Sequence, residues 1–173
     1  MGMSVTISPA LEHEAESILK LQYLCYQSEA ELYGDYSIEP LTQTLDELRA
    51  ELATGYVLVA RLGDEVIGSV RARVEEDGSA AIGKLIVHPR MRRHGLGGRL
   101  LKAIEARLAA ERQATRYRLF TGHRSAQNLR LYRSLGYRPV GTAPAGRGLD
   151  LVTMEKEAAP SATDSGGALA ASA

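Results

Sequence analysis

The stretch Leu85-Ile86-Val87-His88-Pro89-Arg90-Met91-Arg92-Arg93-His94-Gly95-Leu96-Gly97-Gly98 concentrates the recognisable chemistry of this chain. It reads as an apolar strand, a basic glycine-rich turn and the opening of an amphipathic helix. A turn of this kind aims backbone N–H groups, the positive end of a helix dipole and arginines at one point, which suits a phosphate or pyrophosphate. Glycine lets the backbone approach such a ligand with no Cβ in the way. Two other phosphate turns fail here. A P-loop needs Lys and Ser or Thr at the helix start, whereas Gly98 is followed by Arg99 and Leu100. A dinucleotide-binding turn needs a small residue three places after Gly97, and that place holds Leu100. The surviving pattern is Arg92-x-x-Gly95-x-Gly97, entered through His88-Pro89.

Further polar residues compete for roles. Residues 31–40 are rich in tyrosine and acid; Glu31, Asp35 and Glu39 could draw a cationic substrate by charge, and Tyr33 and Tyr36 are further candidates for contact with it. Lys84 could reach a substrate carboxylate, and a snorkelling strand lysine is the equal alternative. His123, next to the end of a strand, could serve as a base, a substrate ligand or a helix cap. His13 and His88 share no metal-ligand spacing with any Asp, Glu or Cys cluster, so no metal is expected. Cys25 falls on an apolar helical stripe and reads as a small buried hydrophobe.

Bulk properties narrow the class. With 173 residues, 45% hydrophobic and 24% charged, the chain fits one globular domain with a real core. Formal net charge is zero, so no global field steers it toward nucleic acid or an anionic membrane. Its positive charge is local and mostly arginine, which favours a small anionic ligand over a polymer. One cysteine forbids an internal disulfide. Residues 1–10 lack the apolar stretch of a signal peptide and no run is long enough to span a bilayer, so a cytoplasmic location and no membrane partner are expected.

The elements that must hold these residues follow from periodicity. Strands are expected at 5–8, 56–62, 65–74, 80–87, 116–121, 138–141 and 149–156, with Gly63-Asp64 as a hairpin turn. Helices are expected at 9–30, with Ser8 as cap, Pro9 in the first turn and Leu11, Ala15, Ile18, Leu21, Leu24 and Cys25 on the apolar side, and at 44–54, closed by Gly55. Two more are expected at 95–111 and 125–135. Residues 31–40 read as a loop or broken helix and 142–148 as a Pro/Gly loop. The domain is expected to span 1–157, and the Ala/Ser/Gly-rich tail 158–173 to be disordered.

The strand Leu85–Val87 with His88-Pro89, the Arg92 to Gly98 turn and the later run Asn128-Leu129-Arg130-Leu131-Tyr132-Arg133-Ser134-Leu135-Gly136-Tyr137 together resemble the GNAT superfamily of acyl-CoA-dependent N-acyltransferases. The order of elements from 5 to 156 agrees. The resemblance implies an α/β (α+β) fold with a splayed, mixed, mostly antiparallel sheet of about seven strands and about four helices. It implies acetyl-CoA as co-substrate, with backbone groups of Leu85, Ile86 and Val87 along the pantetheine arm and the turn of Arg92, Arg93, His94, Gly95, Leu96, Gly97 and Gly98 at the pyrophosphate. Asn128 is implied to contact coenzyme A, and Tyr132 to protonate the leaving thiolate, as a phenol of pKa about 10 can. Many family members carry a glutamate early in the fourth strand to serve as base. Here the matching positions are Ala81 and Gly83, which leaves the base open to a water relay, a backbone carbonyl or an acid from 31–39.

The resulting expectation is an N-acetyltransferase acting on a primary amine of a small molecule. The alternatives are a protein amine as acceptor, an aminoacyl-tRNA as donor, or an acyl-CoA-binding sensor without turnover. A homodimer is compatible with the sequence.

Overall fold

A computed structural model of the chain describes residues 4–146 and 148–159. Seven strands form one sheet in the order β1-β2-β3-β4-β5-β7-β6. These are β1 (Val5–Pro9), β2 (Tyr56–Leu62), β3 (Glu65–Val74), β4 (Ser79–Val87), β5 (Arg116–Gly122), β6 (Arg138–Gly146) and β7 (Leu149–Glu157). Only β4 and β5 run parallel, as their connection through the long helix α5 (Leu96–Arg112) requires. The other helices are α1 (Ala15–Cys25), α2 (Gln27–Tyr33), α3 (Glu39–Thr42), α4 (Leu45–Thr54) and α6 (Ala126–Ser134). Among the described residues no helix is long and apolar enough to cross a membrane.

Alternation along β2 builds a core on each face of the sheet. Leu58 and Ala60 pack with Leu100, Leu101, Ile104 and Leu108 of α5. Val57 and Val59 pack with Ile18, Leu21 and Cys25 of α1 and Leu48 of α4. Helix α4 starts with a reciprocal cap: the Glu47 amide donates to Thr44 Oγ1 (3.2 Å) and the Thr44 amide to Glu47 Oε1 (3.0 Å).

The expected helix at 9–30 is corrected in three places. Ser8 and Pro9 stay in β1, where Pro9 faces Leu58 and the Ala10 amide donates to Val57 O (2.9 Å). An edge strand tolerates a proline that has no amide to give. A single 3-10 turn, Glu12–Glu14, follows, and its entry is held by the Leu11 amide donating to Glu14 Oε1 (2.8 Å). A single turn residue, Tyr26, then divides α1 from α2. Leu11 and Leu24, expected on the apolar stripe, are exposed, and Leu19 and Gln22 are buried in their place.

Residues 31–40 contain the end of α2, stopped by Gly34 in the left-handed region, and the start of α3. Most of the expected loop 142–148 is strand, because register shifts at Pro139/Gly141 and Pro144/Gly146 let β6 keep its prolines on the sheet edge. Of the tail 158–173, residues 160–173 lie outside the described residues.

One ion pair anchors the start of α1. Arg61 Nε donates to Glu14 Oε2 (2.6 Å) and Nη2 to Oε1 (2.5 Å), with Glu14 buried. The Arg61 guanidinium holds the Glu14 carboxyl below its ordinary value of 4.5. A carboxyl lowered on folding contributes stability above its unfolded pKa and loses it as pH falls through the folded one. Glu14→Gln is therefore expected to lower the urea-unfolding free energy by about 3 kcal/mol near neutral pH. The gap from wild type should close in acid, below the depressed Glu14 value.

Candidate active site

β4 and β5 pair only at Ser79–Arg116, Ala80–Tyr117 and Ala81–Arg118. Beyond Ala81 the two strands separate into a V, and the opening is a cleft of about 1090 Å³. Its walls are the second half of β4, the turn into α5, the end of β5, α6 and the α1–α2 junction. A bulge on β4 shapes one wall. Ile86 faces Ser69 and Gly83 faces Arg71, so Lys84 and Leu85 lie opposite Val70 alone, and Lys84 takes φ 51° to make the turn.

Past the bulge the backbone groups alternate. The His88 amide donates to Ile67 O (2.8 Å), which places Ile86 in the next hydrogen-bonded pair, with Ser69. Ile86 thus spends its main-chain groups on β3, and its side chain is buried behind the sheet with Ile18 and Val59. Val87 has the opposite phase and turns its amide and carbonyl away from β3. The Val87 carbonyl accepts from Cys25 Sγ (3.3 Å) and Arg92 Nε (3.4 Å). Burial pushes the Cys25 thiol above its ordinary value, as befits a packed, uncharged group.

The turn that follows is tight. His88 Nδ1 accepts from the Arg90 amide (3.1 Å) and closes a 3-10 turn at Pro89–Met91. Arg93 (φ 69°) and Gly95 (φ 73°) both take left-handed conformations before α5 begins. The first helical bond runs from the Arg99 amide to Gly95 O (3.1 Å), so the amides of Leu96, Gly97 and Gly98 have no partner within the helix. Leu96 buries its side chain in the core. A Cβ on Gly95 or Gly98 would meet nothing within 4 Å, and one on Gly97 would touch the Leu131 side chain at 3.5 Å. The result is an open cradle of amides at a helix N-terminus with Arg92 and Arg93 beside it, which fits a pyrophosphate.

On the facing wall, Asn128 and Tyr132 lie one turn apart on α6 and both line the cleft. Tyr132 is buried, and desolvation together with the nearby Glu29 carboxylate raises its phenol well above the ordinary value. Tyr26 is raised in the same way, chiefly by burial.

Leu85, Ile86, Val87, Arg92, Arg93, Gly95, Leu96, Gly97, Gly98, Asn128 and Tyr132 therefore share one cleft, whereas His94 is exposed and is not among the residues that line it. The residues expected at an acceptor are distributed differently. Lys84 lines the cleft, but its Nζ is committed to Glu39 Oε2 at 2.7 Å. Glu31 and Tyr36 are exposed outside it, and Asp35 Oδ1 accepts from the Ser37 amide (2.8 Å) as a turn residue. His123 Nδ1 accepts from the Asp150 amide (3.0 Å), which latches β5 to β7. Tyr33 clasps α2 to the β5–α6 turn: its hydroxyl accepts from the Arg124 amide (3.0 Å) and its ring packs against His123 at 5.9 Å.

Tyr26, Glu29 and Ser125 also line the cleft and were not singled out from the sequence. The signal was present, because Gln22, Tyr26, Glu29 and Tyr33 continue the inward face of Ile18 at helical spacing. It was hidden by their polarity.

Comparison with known proteins agrees with this architecture. The model of the acetyltransferase (GNAT) family matches residues 16–137. No curated protein matches the sequence at a significant level. Among solved structures, the PaiA N-acetyltransferase of Thermoplasma acidophilum in complex with coenzyme A is 18% identical, with a TM-score of 0.77 over 90% of this chain and 99% of that one. The ribosomal-protein-S18-alanine N-acetyltransferase of Escherichia coli is 16% identical, with a TM-score of 0.74 over 91% and 96%. The putative acetyltransferase yncA of Salmonella typhimurium, with acetyl-CoA, is 22% identical, with a TM-score of 0.71 over 92% and 99%. At these identities the likeness is one of fold.

The Tyr33 clasp leaves no room at Gly122, where a Cβ would overlap the Tyr33 hydroxyl and ring. Gly122→Ala is expected to force α2 off the turn and cost about 1–3 kcal/mol, read as a lower urea midpoint with an unchanged slope.

Proposed function

Because the chain belongs to the GNAT acetyltransferase family, we propose that it acetylates a primary amine of a small molecule by direct attack, with Tyr132 as the acid. Its co-substrate is acetyl-CoA, which supplies the acetyl group as an activated thioester. The observation that carries the reading is the placement of the amide cradle and Tyr132 in one cleft.

Each residue has a physical task. The free amides of Leu96, Gly97 and Gly98 and the arginines beside them bind the pyrophosphate charge, and Asn128 offers an amide side chain to coenzyme A from the other wall. The Val87 N–H, directed away from β3, is a donor for the carbonyl oxygen as negative charge grows on it; one such donor is worth about 3 kcal/mol. Tyr132 gives its proton to the departing sulfur. Its raised pKa keeps the phenol protonated at neutral pH, and a thiolate formed in the same dry cleft is made more basic by the same desolvation.

Two variants separate binding from chemistry. Tyr132→Phe is expected to lower kcat about a hundredfold while leaving the calorimetric Kd for acetyl-CoA unchanged. Gly98→Val fills the cradle at a position with open space around it, and should raise that Kd at least about tenfold with an unaltered melting temperature. Thiol release is to be followed with alkylamines, amino acids, polyamines and peptides with a free N-terminus. Turnover on peptides alone would move the acceptor to a protein amine, as the name of the Escherichia coli neighbour describes for that protein. Acetyl-CoA binding with no thiol release on any of them would overturn the reading in favour of a sensor.

A further inference from the structure

An ammonium acceptor must lose a proton before it can attack, at roughly 1.4 kcal/mol for each unit its pKa lies above the pH. β4 supplies no group for this: Ala81 is paired with Arg118 in the sheet and Gly83 has no side chain. Among the described residues the cleft is lined by one carboxylate, Glu29, on the inward face of α2. Glu29 Oε1 accepts from Ser125 Oγ at 3.0 Å, and among the described residues no hydrogen bond or ion pair engages Oε2.

Among the described residues none of the cations lining the cleft (Lys84, Arg92, Arg93, Arg124) forms an ion pair with Glu29. Lys84 is paired with Glu39, Arg92 leans on the Val87 carbonyl, and Arg124 Nη1 donates to Leu32 O (3.2 Å). Glu29 is therefore partly buried with one neutral donor and no counter-charge. Desolvation raises its carboxyl above the ordinary value, outweighing the Ser125 hydrogen bond, and this makes it a stronger base than a surface glutamate. Its charge also acts on the phenol of Tyr132 on the facing wall and on that of Tyr26 beside it.

We propose that Glu29 is the base that deprotonates the acceptor ammonium, an assignment that rests on the transferase reading above. Glu29 takes one nitrogen proton, which leaves a neutral amine and a carboxylic acid. The nitrogen lone pair then forms the bond to the acyl carbon as the carbon–sulfur bond breaks, and the sulfur keeps that electron pair and receives the Tyr132 proton. The second nitrogen proton restores the phenol, and Glu29 releases its own to solvent. The ammonium has lost two protons: one ends on the coenzyme thiol and one in bulk water.

A base and a merely structural carboxylate respond differently to the basicity of the acceptor. The test pairs the best primary alkylamine from the panel with its β-trifluorinated analogue, which is largely neutral near pH 7. Glu29→Gln is expected to lower kcat/KM about a hundredfold for the alkylamine and by no more than about threefold for the fluorinated amine, with an unchanged Kd for acetyl-CoA. Glu29→Asp, which keeps the charge, should show the same contrast at smaller amplitude and decides the matter if the glutamine variant does not fold. Equal loss on both amines, or no loss on either, overturns the assignment of Glu29 alone. Wild-type protein that binds acetyl-CoA and acetylates no amine overturns the transferase reading and this base together.

Discussion

After the pair Ala81–Arg118, β4 and β5 exchange no further register partners, and the cleft exists because of that parting. A sheet that stayed zipped would fill the space with its own hydrogen bonds and leave no main-chain group for a ligand. The bulge at Lys84 and Leu85 maintains the divergence by giving β4 one residue more than β3 can match. A left-handed lysine costs about 1 kcal/mol, which its pairing with Glu39 helps to offset. The same bulge sets the phase that commits Ile86 to β3 and turns Val87 the other way. It also fixes where β4 ends, and so where the arginine–glycine turn and the N-terminus of α5 come to rest.

The other wall depends on polar contacts made at a distance from the cleft. Arg71 is buried under α1 and α4, where it donates to Glu51 Oε2 (2.6 Å), Gln43 Oε1 (3.1 Å) and Gln22 Oε1. Gln22 in turn donates to Pro40 O (2.8 Å). This network joins α1, α3 and α4 to the sheet, and a buried guanidinium is tolerable there because its neighbours satisfy most of its donors. From that anchor the chain passes through Tyr26 into α2, which lines the cleft, and the Tyr33 hydroxyl pins the far end of α2 to Arg124. Glu29 and Tyr132 come from different parts of the chain, yet both are held on short, anchored helices.

Local chemistry was a good guide wherever one physical requirement dominated. Alternation between two apolar faces marks β2, β3 and β4, and Leu96, Leu100, Leu101, Ile104 and Leu108 mark the buried side of α5. The glycines of the turn declare a close backbone approach, and Asn128 and Tyr132 share a helix face by spacing alone. The sequence is ambiguous where two requirements meet. Pro9 satisfies a helix start and an edge strand equally well, and pairing with Leu58 decides for the strand. Tyr33, Asp35 and His123 have the chemistry of substrate ligands, and the fold also uses each of them structurally: the Tyr33 hydroxyl accepts from the Arg124 amide, Asp35 Oδ1 from Ser37 and His123 Nδ1 from Asp150.

What the order of residues already contains, then, is the apolar periodicity of the strands and helices, the glycine-rich anion turn and the tyrosine on a late helix, because each is a property of neighbours along the chain. The separation of two strands, the place of α2 on the cleft and long-range ion pairs such as Arg61–Glu14 and Lys84–Glu39 depend on residues tens of positions apart, and only packing in three dimensions settles them. Glu29 shows the division most plainly. Along the chain it is one acid among several, and it becomes a partly buried carboxylate held by one neutral hydroxyl only in the folded protein, where Ser125 reaches it and Lys84 pairs with Glu39 instead.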